Sequence, residues 1–115
     1  MSFTEKLLGS GQLASGSQTT IYTGVTHKTA ILKHITISNA SASDRTVQVW
    51  IVPNGGSVGD DNCLLNGQTV YGNRRLTWDG FIPITETGAT IQAEASAASS
   101  LTMFAAGAEI ITGRV

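Results

Sequence analysis

Apolar and polar residues alternate with a period of two along much of the chain. In KTAILKHITISN (28–39), Ile31, Ile35 and Ile37 fall to one side and His34, Thr36 and Ser38 to the other. RTVQVWIVP sets Val47, Val49 and Ile51 against Gln48 and Trp50, and Pro53 ends that run or places its end on a sheet edge. GATIQAEAS sets Ile91, Ala93 and Ala95 against Thr90, Gln92 and Glu94. These are strands with one packed and one wet face. TTIYT (19–23), closed by Gly24, is a shorter strand, and SLTMFAAGAEIITG supplies one or two more, broken at Gly107. The stretch from Cys63 to Ile84 divides into short pieces at Asn66-Gly67, Gly72-Asn73 and Asp79-Gly80. ASASD and NGGSVGDDN are loops. AEASAASS contains helix-forming alanines, but the alternation before it and its serines argue against a helix. About seven or eight short strands separated by turn signals predict an all-β fold, an antiparallel β-sandwich of jelly-roll type. There is no internal repeat.

The N-terminus breaks the pattern. SFTEKLL (2–8) has capping-box spacing at Ser2 and Glu5, and Gly9 stands where a helix would stop. It predicts a helical turn too short to stand alone. GSGQLASGSQ after it is a flexible Gly/Ser segment. Residues 1–18 are therefore expected to form an arm with an apolar tip of Phe3, Leu7 and Leu8, or else a frayed terminus. Residues 19–115 are expected to form the sandwich domain.

At 115 residues the chain has the length of one domain. Charged residues make up 13% and the net charge is −1, which leaves no face basic enough to grip a nucleic acid backbone or an anionic membrane. No apolar run approaches the ~20 residues of a membrane span, and the N-terminus lacks the layout of a signal peptide. The single cysteine, Cys63, cannot form an internal disulfide, which fits synthesis in a reducing cytoplasm and equally a particle assembled there and later released. With few large aromatics and no disulfide the core is thin. Self-association, as a homodimer or homotrimer, or docking on a larger surface is expected to add to its stability.

The octet HKTAILKH (27–34) looks most like chemistry. In a strand, however, His27 and His34 face opposite sides about 23 Å apart at ~3.3 Å per residue; in a helix they sit about 10 Å apart along the axis. Neither spacing lets both reach one zinc ion. The octet reads as the start of a strand, with His27 and Lys28 at its solvated entry. Lys33 shares the side of Ile31 and Ile35, which implies either a rim position or a bulge. The loop Asn54–Asn62, with Asp60 and Asp61, offers some oxygens for calcium, but its spacing is not that of an EF-hand and it reads as a plain connection. There is no G-x-S-x-G, and Asp79, Glu86, Glu94 and Glu109 can be paired in too many ways to single out an acid and a base. No enzyme activity, metal site or cofactor is expected. Trp78 with Arg74 and Arg75 is either a stacking patch for a sugar or base or, the favoured reading, a packing or oligomer contact.

Taken together, IYTGVTHKTAILKHITISNASASDRTVQVWIVPNGGSVGDDNCLL (21–65) resembles a stretch found in many small virion proteins of tailed bacteriophages. Its elements there are LYT-x-P-x-G-K-T-A-x-x-K, then I-x-x-x-N-x-S, then V-P-x-G-G-S-x-G-D-x-N. WDGFIPITETGATIQAEASAASSLTMFAAGAEI (78–110) is similar to the ending G-x-x-L-x-x-G-D-x-I-x-A-x-A-S. Val25-Thr26-His27 departs from the usual Pro and Gly, and Glu86-Thr87-Gly88 from a Gly-Asp pair; both are turn positions. The resemblance implies a small β-sandwich that decorates or cements a capsid as a homo-oligomer, contacting the major capsid protein or neighbouring virion proteins. The alternative it allows is a tail, fibre or baseplate component. Either is made in the host cytoplasm and resides in the virion. Interface candidates are the arm (Phe3, Leu7, Leu8), the loop (Asn54, Asp60, Asp61, Asn62) and Arg74, Arg75 and Trp78.

Overall fold

The computed structural model describes residues 2–111, with side chains from Thr4 onward. Eight strands follow in order: β1 (Ser2–Gln12), β2 (Thr19–Thr23), β3 (Lys28–Asn39), β4 (Arg45–Val52), β5 (Cys63–Val70), β6 (Arg75–Ile84), β7 (Thr90–Ala95) and β8 (Leu101–Ile111). They form two four-stranded antiparallel sheets, sheet A in the order β1-β8-β3-β6 and sheet B in the order β2-β7-β4-β5. Two interlocked Greek keys give this order, which is that of an eight-strand jelly roll. The all-β sandwich expected from the alternation is the fold observed.

The inward faces make an aliphatic core. Leu32, Ile35 and Ile37 of β3, Val47 and Val49 of β4, Ile91 of β7 and Leu101 and Met103 of β8 are at most 1% exposed. Burying a side chain of this size contributes about 1.5–3 kcal/mol, so these positions hold the two sheets together.

Four local expectations change. The helical turn placed over 2–8 is instead strand, paired with β8 from Ser2↔Ile111 to Gln12↔Thr102. A turn that short gains too little from its own hydrogen bonds, whereas β8 offers an open edge with a full ladder. Next, Asn66-Gly67 and Asp79-Gly80 do not break strands. They lie within β5 and β6 where the pairing register shifts, and only Gly72-Asn73 is a true turn between strands. Third, Ile31 faces away from Ile35. The register of β3 slips between Leu32 and His34 against both neighbours, so Lys33 is the extra residue of a bulge and Leu32 takes the inward position. β8 is likewise unbroken at Gly107. A side chain there would place Cβ 1.8 Å from the Ile31 carbonyl oxygen, so glycine is what the adjacent bulge requires.

Asn39 explains the I-x-x-x-N-x-S element. Its Oδ1 accepts hydrogen bonds from the Ser41 N–H and hydroxyl, and its Nδ2 donates to the Ser43 and Val70 carbonyls at 2.8 and 2.9 Å. This buried, fully satisfied amide ties the β3–β4 turn to the end of β5.

His27 occupies the turn between β2 and β3 at φ 64, the left-handed region that favours glycine. A non-glycine residue there costs about 1–2 kcal/mol, partly offset by the entropy glycine loses on folding. The His27→Gly variant should therefore gain up to about 1 kcal/mol in urea unfolding. A loss would show that the imidazole makes a compensating contact.

Candidate functional site

The structure separates residues that stand together in the sequence. Arg75 pairs with Ser38 and faces outward, whereas Trp78 pairs with Ile35 and packs on the core. Arg74 lies in the turn before β6, its N–H bonded to the Tyr71 carbonyl. The stacking patch of Arg74, Arg75 and Trp78 is therefore not assembled, because alternation along a strand puts positions 75 and 78 on opposite faces. The loop Asn54–Asn62 sits at the other end of the sandwich, beyond β4, and so is remote from the arginines. It is ordered by its own contacts: the Asn54 N–H donates to Glu86 Oε1 at 2.8 Å, the Gly59 N–H to Asn62 Oδ1, and Asn62 Nδ2 to the Ser57 carbonyl. Asp60 and Asp61 are exposed. Among the described residues no three His, Cys, Asp or Glu side chains cluster closely enough to hold a metal ion. In β1, Leu7 is 51% exposed while Leu8 packs against the core. The side chain of Phe3 lies outside the described residues.

The geometry does define two unlike faces. The outer face of sheet A carries Leu7, Phe104 and Phe81, exposed by 51, 41 and 65%. Register places Ala106, His34 and Asp79 in the row of Leu7, Ser10, Thr36 and Thr77 in the row of Phe104, and Pro83 beside the buried Ile31. These three large residues are half of the six large hydrophobics exposed among the described residues; the other three, Val25, Tyr71 and Ile111, lie at strand ends or in turns. The outer face of sheet B is polar, with Thr20, Gln92, Glu94, Thr46, Gln48 and Thr69 brought side by side by register. Trp50 shares that face by parity yet is only 6% exposed; it lies beside the 3-10 turn Asp60–Asn62, which contacts β4.

Phe81 and Phe104 escaped sequence reasoning. The signal for Phe104 was present, since it alternates with the inward Leu101, Met103 and Ala105. Phe81 follows the Asp79-Gly80 bulge, where parity fails.

Two polar constellations stand out. On the outer face of sheet A, His34 Nδ1 lies 2.6 Å from Asp79 Oδ1 and its Nε2 lies 2.7 Å from Thr36 Oγ1. Hydroxyl, imidazole and carboxylate follow the order of a nucleophilic relay. They lie, however, on an open sheet whose central strand β3 spends its backbone N–H groups on ladders to β6 and β8. An oxyanion needs unspent donors, so the trio reads as cross-strand pairing.

The second constellation is buried. Glu109 is 8% exposed and accepts hydrogen bonds from Lys6 Nζ and Tyr22 Oη, both at 2.9 Å, with Lys28 Nζ at 3.9 Å. It ties β1, β3 and β8 of sheet A to β2 of sheet B. The Lys6 hydrogen bond holds the Glu109 carboxyl below its usual range, opposing the effect of burial, and Tyr22 assists. Burial first, and the Glu109 carboxylate second, push the Tyr22 hydroxyl from 10.0 to about 12.

No protein-family model matches the chain, and no curated protein does. Among solved structures, a chain of the infectious bursal disease virus Gx strain structure is 15% identical with a TM-score of 0.39, covering 99% of this chain and 34% of that one. A chain of the infectious bursal disease virus VP2 subviral particle is 11% identical with a TM-score of 0.40, covering 94% and 31% respectively. This chain thus spans about a third of the length of the chains it matches. The jelly-roll assignment rests on strand order and not on these distant likenesses. It is an architecture of viral capsid and lectin domains.

The Glu109 cluster makes a prediction at alkaline pH. The folded pKa of Tyr22 lies above the unfolded one, so its contribution is whole below pH 10 and is lost as pH rises to about 12. Glu109 is shifted the opposite way, so its contribution is present at neutral pH and lost as pH falls through its folded value. Urea unfolding of Tyr22→Phe should show a flatter decline than wild type between about pH 10 and 12. Equal slopes would mean that the fold does not raise the Tyr22 hydroxyl.

Proposed function

We propose that this chain is a structural component of a virus particle, a decoration or cement protein that binds the assembled shell as a homo-oligomer. The observation that carries this reading is the unlike character of the two outer faces. The outer face of sheet A carries three exposed large hydrophobics, Leu7, Phe81 and Phe104, among polar residues such as His34, Thr36 and Asp79, whereas the outer face of sheet B carries none among the described residues. Four strands about 4.8 Å apart and about ten residues long, at about 3.4 Å each, give a face of roughly 600 Å². That approaches the ~800 Å² per partner of a stable interface. Leu7, among the arm candidates, belongs to this face; Leu8 does not. The resemblance of residues 21–65 and 78–110 to small tailed-phage virion proteins supports the same reading. The protein works by mass action: binding only the assembled shell stabilises that shell, and an oligomer adds effective concentration. The role requires no catalytic residue, metal or cofactor.

A tail, fibre or baseplate role would use the same face at low copy number. Quantifying this chain against the major shell protein in purified particles separates the two. Near-stoichiometric amounts are expected; a few per cent would move the protein to the tail.

Phe104→Asp should leave the fold intact, since the side chain is 41% exposed, and should reduce co-sedimentation with particles lacking the protein by more than about tenfold, equivalent to ~1.4 kcal/mol. Unchanged binding would exclude sheet A as the docking face.

A further inference from the structure

We propose that the depression on the outer face of sheet B is a binding site for a neutral saccharide. This goes beyond the structural role and does not rest on it. The depression has a volume of about 430 Å³, within the roughly 300–1,000 Å³ of small-molecule sites. Thr46 and Gln48 of β4 and Glu94 of β7 contribute to its lining, with Ser15 and Gly16 on one side, Ser96 beyond the end of β7, and the β5 bulge at Gly67.

Its polar groups are held in place. Glu94 Oε2 accepts the Gly16 N–H at 3.0 Å and Oε1 accepts Gln18 Nε2 at 2.9 Å. Each carboxylate oxygen has a second lone pair left to accept from a ligand. Gln48 Nε2 donates to Asn66 Oδ1 at 2.9 Å, which fixes the amide orientation. Its Oε1 and remaining N–H have no partner among the described residues, and neither does the Thr46 hydroxyl. The Thr46 N–H donates to Ser96 Oγ at 2.9 Å, and Ser15 Oγ to the Ser96 carbonyl at 3.4 Å, joining the rim to the sheet.

The lining selects by chemistry. It contains no Lys or Arg, so nothing neutralises a phosphate or another anion. It contains one carboxylate, too few to build the six- to eight-oxygen shell of calcium. It contains no aromatic and only Val47 and Ala95 as apolar residues, so a lipid or aromatic ligand gains little. What remains is a ligand dense in groups that both donate and accept. Sugar hydroxyls donate to Glu94 and accept from Gln48 and Thr46. Without a stacking platform each site binds weakly. The site also lies on the face opposite the apolar docking face, so both can be occupied together.

The test is an amide NMR titration of the full chain with maltose, lactose and cellobiose, guided by a glycan array, with sialyllactose and a heparin oligosaccharide as anionic comparators. At least one neutral saccharide should shift the amides of Gly16, Gln48, Gly67, Glu94 and Ser96. Gln48→Ala should weaken binding about tenfold, and Glu94→Gln should weaken it too. Should Glu94→Gln disturb the Gly16 turn, Gln48→Ala decides alone, because Gln48 bonds only the Asn66 side chain. The proposal is overturned by an array and titration without a neutral binder, by preference for the anionic sugars, by shifts confined to another surface, or by unchanged affinity in Gln48→Ala.

Discussion

The strands of sheet A shift register together at one level. β1 shifts register between Leu7 and Gly9, β3 between Leu32 and His34, and β6 between Ile82 and Asp79. Traced through the pairing, all three shifts lie beside Ala105–Gly107 of β8. Aligned bulges increase twist and curve a sheet. They also crowd neighbouring backbones, which is why the residues at that level are small. Gly107 has no room for a Cβ beside the Ile31 carbonyl, and Gly9 none beside the Ile21 carbonyl, where it would approach to 1.9 Å. The run of alanine and glycine in β8 is thus a packing requirement of the bend.

The faces follow in part from those bulges. The extra residue in β3 turns Ile31 to the outer side, where it is still covered at 7% exposure, and brings Leu32 into the core. Leu7, Phe104 and Phe81 extend the same surface. On the far side, no bulky apolar side chain is left open on sheet B, since Trp50 is buried beside the β4–β5 loop. The Glu109 cluster makes β1 part of this arrangement by joining it to β8, β3 and the opposite sheet. A protein so divided has one side to bury and one to show, which is the physical content of the proposed shell role.

Much of this was legible in the alternation. β3, β4 and β7 were visible as two-sided patterns, and Val47, Val49, Ile91, Ala93 and Ala95 are buried as their parity requires. Bulges were not legible, because one extra residue inverts parity without changing composition; Lys33 hinted at one only by standing on an apolar side. β1 was misread because local capping signals in SFTEKLL outweigh its weak alternation, and the edge it completes lies about a hundred residues away. The less favoured stacking reading of Arg74, Arg75 and Trp78 meets the same kind of obstacle, since closeness in sequence within a strand means opposite faces as often as shared ones, while Trp78 packs on the core. The Glu109 cluster and the groove around Glu94 join residues from several strands, and only the topology brings them together.

Hydroxyl-radical footprinting of the protein free and on purified particles tests the two-faced account most directly. Leu7, Phe81 and Phe104 should lose reactivity on the particle, while Gln92, Thr69 and Thr20 should keep theirs. Protection of the sheet B residues with Phe81 and Phe104 still reactive would contradict the account, because the apolar face would then be the one left in water.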